Sequence, residues 1–92
     1  MIDKTTVFRK ASGQVSCRIN DDVAILDTNK SLYFRLEGVA VQVWEALDSP
    51  SSVAQLRDDI VARFDVPSAE CEADILELLG QLKAKGLVEA AP

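Results

Sequence analysis

The sequence predicts an α+β fold, winged helix-turn-helix-like: an N-terminal antiparallel sheet of three or four short strands, then three helices. Three observations carry this expectation. Up to position 36 the apolar residues fall in short β-forming runs, alternating at Val15 to Ile19 and at Leu32, Phe34 and Leu36, and beyond it they recur at three and four residues. The charge divides at the same place, with residues 1–36 summing to +2 and residues 37–92 to −7. The 92 residues suit one domain, 1–92, with a small core.

The elements follow in order. Thr5 to Arg9 is a first β-forming run, closed by Ser12-Gly13. Val15 to Ile19 alternates apolar and polar, as a half-buried strand should. Val23 to Leu26 and Ser31 to Leu36 then read as a β-hairpin. Asp27 and Asn29 suit its turn because their side chains can bond the local backbone. Val39, Val43 and Leu47, with Ala40 and Trp44 beside them, mark a first helix that ends at Ser49-Pro50. Trp44 reads as core. Ser52 and Gln55 fit a capping box for a second helix with the stripe Val53, Leu56, Ile60 and Phe64, broken by Asp65-Val66-Pro67. Ser68 is the expected cap of the third helix, whose stripe reads Cys71, Ile75, Leu78 and Leu82, widened by Leu76 and Leu79. Gly86 suits a left-handed stop, and Leu87-Val88 should fold back as an apolar tail.

Composition excludes several functions. The chain has no histidine, the commonest general base and metal ligand. Cys17 and Cys71 belong to no metal-ligand cluster and read as reduced, small core residues. Adjacent acids such as Asp21-Asp22 and Asp58-Asp59 point apart, and the glycines form no phosphate cradle. The sequence thus predicts no catalytic residues, no metal and no cofactor. Met1 to Lys4 opens into polar sequence with no signal peptide, and no apolar run approaches the ~20 residues of a membrane span. A cytoplasmic protein without a membrane partner is expected. An acidic winged-helix transcription regulator is one reading of the element order. The third helix opposes it, because Glu70, Glu72, Asp74 and Glu77 would meet DNA phosphates, with Lys83 and Lys85 only at its far end.

The stretch ILDTNKSLYFRLEGVAVQVWEAL, residues 25–47, resembles the PqqD-like family. That family is named for a small pyrroloquinoline quinone biosynthesis protein and includes the recognition elements for ribosomal peptide natural products. Leu26-Asp27, Tyr33, Leu36, Val43-Trp44 and Leu47 match its pattern, as do Asp74-Ile75, Leu78-Leu79, Leu82 and Gly86-Leu87. The resemblance covers about residues 5 to 89. The chain has Asn29-Lys30-Ser31 where the family often has a turn glycine, Glu37 where it often has Asn, and Ala40 at its helix-start glycine.

The resemblance implies a non-catalytic module that binds the leader segment of a precursor peptide as an added strand. The leader would pair with the strand at 31–36, supplied by Ser31, Leu32, Tyr33, Phe34 and Arg35, and rest on a wall formed by Leu76, Leu79 and Lys83 of the third helix. Strand addition has its own physical logic, since a sheet edge offers unpaired N–H and C=O groups to an extended peptide. The length resembles the stand-alone recognition protein of lasso peptide pathways, which works beside a leader peptidase. A chaperone for a radical SAM enzyme, as in pyrroloquinoline quinone synthesis, is the alternative within the family. Either a monomer or a strand-swapped dimer fits.

Overall fold

The computed structural model describes residues 2–91. Three strands form a meander: β2 (Gln14–Ile19), β3 (Asp22–Asp27) and β4 (Leu32–Leu36), antiparallel in that order. Ile19 pairs with Asp22, so Asn20-Asp21 is a two-residue turn, with Asn20 at φ 57°. Asn tolerates that left-handed backbone better than most residues. The expected hairpin is present, running from Val23 opposite Leu36 to Asp27 opposite Leu32. In its turn Asp27 Oδ1 accepts from the backbone N–H of Asn29 at 3.0 Å and of Lys30 at 3.2 Å.

The first β-forming run is not part of that meander. β1 (Val7–Lys10) lies in a second sheet between β5 (Ser51–Ser52) and β6 (Val88–Ala90). Its register pairs Phe8 with Ser51 on one side and with Ala90 on the other. The folded-back tail supplies this partner, so the expected four-strand option separates into two three-stranded sheets.

The helices are α1 (Val39–Ala46), α2 (Val53–Arg63) and α3 (Ser68–Ala84). Gly38 starts α1 at φ 60°, ψ −133°, a backbone reserved for glycine, and no side chain caps the helix. Val41, Val43 and Trp44 are buried, whereas Val39 is exposed at the helix start. Trp44 is core as expected, although its Nε1 has no partner and the Lys10 ammonium sits 4.6 Å from its ring centroid. The capping box at α2 is formed: Ser52 Oγ accepts from Gln55 N–H at 3.1 Å, and Ser52 N–H donates to Gln55 Oε1 at 2.8 Å. Phe64, read as the end of the α2 stripe, is exposed beyond the last turn.

Two details of α3 differ from expectation. Ser68 lies inside the helix and Pro67 takes the cap position, so no side chain caps this end. The buried stripe is Cys71, Ile75, Leu79 and Leu82, with Leu79 in place of Leu78. The C-terminus stops as predicted. Gly86 has φ 77°, its N–H donates to Lys83 C=O at 3.0 Å, and Leu87 N–H donates to Leu82 C=O at 2.9 Å. These are the paired bonds of a Schellman stop, and they turn buried Leu87 and Val88 into β6.

The core joins the inner face of the meander to all three helices through Phe8, Ile25, Trp44, Leu56, Ile75 and Leu79. Each such apolar side chain contributes about 1.5–3 kcal/mol by leaving water. Cys71 is buried and Cys17 exposed, both as free thiols. The expectation that Cys17 is core fails because its position in β2 points to the outward face of an edge strand. Among the described residues, no helix is long and apolar enough to cross a membrane.

Candidate functional site

β4 is an edge strand. It pairs with β3 on one side only, and its other side makes no backbone bond to any described element. Every second residue of such an edge directs its N–H and C=O outward, ready for another strand.

Alternation sorts the β4 side chains. Leu36 is buried, Phe34 is half-buried against the core, and Leu32, on the same face, is 42% exposed. Tyr33 and Arg35 point to the opposite face. Tyr33 is 59% exposed and stands opposite Leu26, which stands opposite Val15, giving an exposed apolar row across the outer sheet. Arg35 reaches diagonally to Asp22 at the start of β3, with Nε and Nη2 at 2.8 and 2.6 Å from Oδ2. That contact with Asp22 raises the basicity of the guanidinium further. Ser31 closes the preceding turn at φ 54°.

Phe34 of β4 meets Lys85 just past the end of α3, and α1, which follows β4, meets α3 farther back at Glu70 to Leu78. β4 and α3 therefore run in opposite directions, and the space between them is a candidate groove. At one end the Lys85 ammonium lies 4.7 Å from the Phe34 ring centroid, and Lys30 Nζ would be 3.4 Å from a Cβ added at Gly86. At the other end, just past β4, the chain enters α1, and a cavity of about 200 Å³ opens between α1 and α3. Val39 and Val43 of α1, Val66 of the α2–α3 connection, and Glu70, Asp74 and Leu78 of α3 line it. From Leu78 to Lys85 α3 rises ~10 Å, comparable with the ~13 Å of a five-residue strand beside it.

A turn of 100° per residue places Asp74, Leu78, Gln81 and Lys85 on one flank of α3. The opposite flank carries Glu72, Leu76 and Lys83. Glu72 Oε1 accepts from Arg57 Nη1 of α2 at 2.6 Å, which turns that flank toward α2. Leu32, Tyr33, Phe34 and Arg35 lie together on β4 with Ser31 in the turn before it, while Leu76, Leu79 and Lys83 lie on the core and α2 sides of α3. Leu79 is wholly buried and has no surface to offer. Leu76 is half-buried on the α2 flank, and Lys83 is exposed on it. The flank that carries Lys85, which meets Phe34 of β4, also carries Leu78 and Asp74, which line the cavity beside α1. Sequence periodicity marked Leu78 as apolar, but the sequence does not reveal which flank meets the strand.

The buried thiol of Cys71 is pushed up by desolvation first, then by the neighbouring carboxylate of Asp74. Among the described residues no group of three His, Cys, Asp or Glu side chains converges as a metal site would require.

The chain and its fold have known counterparts. Residues 22–88 match the profile of PqqD, coenzyme PQQ synthesis protein D. The chain belongs to the PqqD family. The match spans both walls of the groove, from β3 to the first residue of β6. Curated PqqD relatives described as PqqA binding protein, from Xanthomonas oryzae pv. oryzae (strain PXO99A) and Xanthomonas euvesicatoria pv. vesicatoria (strain 85-10), are each 36% identical over 53 residues. Those matches cover 58% of this chain and 58% of each relative, so the chain spans somewhat over half the length of these proteins. Two solved structures share the fold over nearly the whole chain. TbiB1 in complex with the TbiA(beta) leader peptide has a TM-score of 0.84 at 27% identity, covering 91% of this chain and 98% of that one. Lasso peptide synthetase B1 complexed with the leader peptide has a TM-score of 0.75 at 26% identity, covering 92% and 98%.

Proposed function

We propose that this PqqD-family protein binds the leader segment of a ribosomally made precursor peptide by strand addition at β4 and presents it to a separate processing enzyme, a leader peptidase. The observation that carries the reading is the unpaired β4 edge beside the α3 groove, on a fold shared over nine-tenths of its length with TbiB1 in its leader-peptide complex. Backbone pairing would supply much of the affinity and fix direction, and the groove would select side chains. The reading assigns the chain no chemistry of its own, consistent with the lack of histidine. Leader removal would be the partner's work.

The similarity to PqqA binding proteins favours a second reading, in which the partner is a radical SAM enzyme and the chain is its peptide chaperone. Both readings share the binding step and differ in the enzyme that receives the peptide.

Amide exchange on residues 32–36, with and without a saturating synthetic leader peptide, tests the binding step. Slowed exchange along β4 is expected, and unchanged exchange at saturation would overturn strand addition. Addition of candidate peptidase or radical SAM partners to the loaded protein then separates the two readings.

A further inference from the structure

The groove is electrically polar from end to end. Glu70 and Asp74 of α3 line the cavity end, and Glu37 is exposed where the chain leaves β4 for α1. Lys30 and Lys85 stand at the other end, beside Phe34 and Gly86. Among the described residues, none of these five side chains joins an ion pair. Elsewhere carboxylates are bridged repeatedly: Asp22 to Arg35, Glu45 to Arg18, Asp48 to Lys10, Glu72 to Arg57 and Glu89 to Arg9. Glu70 and Asp74 are one helical turn apart on an exposed flank, where like charges repel. They flank an apolar cavity of about 200 Å³, enough for a branched aliphatic side chain but with no internal cation to balance its rim.

We propose that this groove selects its peptide by charge order: a cationic residue next to an aliphatic anchor at the cavity end, and a carboxylate at the Lys30–Lys85 end. The inference rests on the reading that the peptide adds as a strand to β4. Antiparallel addition continues the pattern of the meander and is the more stable pairing per residue. A strand antiparallel to β4 begins at the cavity end. The order from the peptide's N-terminus is then cation, aliphatic anchor, carboxylate. The aliphatic side chain enters between Val39, Val43 and Leu78, and its cationic neighbour meets Glu70 and Asp74 at the rim. The carboxylate arrives within reach of Lys30 and Lys85. Opposite charges at both ends set the register as well as the direction, because a two-residue slip separates both pairs at once.

Two capped dodecapeptides test this. Both alternate threonine and valine around one leucine. One carries two lysines before the leucine and two glutamates after it, and its twin has the charges exchanged. Binding is read by backbone amide shifts of residues 32–36 in titrations at low and high salt. The lysine-first peptide should bind about fivefold to tenfold more tightly, and the gap should shrink at high salt. The double variant Glu70→Lys/Asp74→Lys, both sites exposed, should remove or reverse the preference without unfolding the protein. Equal binding of the twins, with β4 amides shifting for both, would overturn charge ordering and leave strand addition standing. If neither peptide moves the β4 amides at millimolar concentration, while amides elsewhere shift, strand addition itself is overturned and charge ordering with it.

Discussion

The Lys85 ammonium sits 4.7 Å from the centroid of the Phe34 ring, tying the end of α3 to the middle of β4. The contact is a cation–π pair at an accessible site, worth about 0.5–1 kcal/mol. Lys85→Ala should therefore cost little stability by denaturant titration. Phe34→Ala should cost more, because its ring also packs on the core. A double-mutant cycle over both residues should give a coupling of about 0.5–1 kcal/mol. A coupling of zero would show that the ring and the ammonium act independently.

Leu78 and Leu79 are adjacent and should respond oppositely. Leu79 is wholly buried, so Leu79→Ala should destabilise the fold by about 2–5 kcal/mol. Leader affinity measured well below the reduced Tm should change little. Leu78 lines the cavity and is half-buried, so Leu78→Ala should weaken binding by about 1–3 kcal/mol at smaller cost to folding. Melting curves run beside calorimetric titrations separate the two outcomes.

Ser31 is held at φ 54° in the β3–β4 turn, where a side chain is strained. Ser31→Gly should stabilise the protein by about 0.5–1 kcal/mol. For a domain of this size that corresponds to a Tm rise of ~2–8 °C, readable by calorimetry. A lowered Tm would mean that the serine hydroxyl contributes more than its backbone strain costs.

The two thiols should label at very different rates. Cys17 is exposed, whereas Cys71 is buried and its thiol holds its proton more firmly than a free cysteine. A thiol-reactive dye at neutral pH should modify one cysteine quickly and the second only as the protein opens. The sign for stability follows from linkage. The unfolded thiol ionises first as pH rises, so the raised folded value stabilises below that range, and the benefit is lost as pH climbs toward the folded value. Cys71→Ser should flatten this alkaline decline in urea titrations.

Much of the fold was legible because its signals are local. The Ser52–Gln55 box, the Gly86 stop and the Asp27 turn each rest on side chains within a few residues of one another. Long-range pairing was not legible. β1 is a short β-forming run, and nothing in its residues says that Val88–Ala90 rather than Gln14–Ile19 will lie beside it. The edge strand itself was legible because β4 is apolar, alternating and hairpin-bound. The buried stripe of α3 was read one residue off, 100° of rotation. Leu78 and Leu79 are equally apolar, and only the docking of α3 on α2, marked by Arg57 and Glu72, decides which leucine the core takes. Ser68 failed as a cap because Pro67 already takes the extended backbone of that position.

Trp44 and Tyr33 are the chain's only tryptophan and its only tyrosine, and they occupy opposite kinds of place. The indole is sealed in the core under Lys10, whereas the phenol stands in water on the β4 edge. The molecule thus carries two intrinsic optical probes. Near-ultraviolet dichroism and red-edge emission from the indole follow the integrity of the packed interior. The phenol's absorbance follows what arrives at the edge strand. A change in the phenol signal with a constant indole signal marks docking onto an intact fold, and a shift in the indole marks its loss. Loading and unfolding can therefore be followed in one cuvette, without a label that would alter either surface.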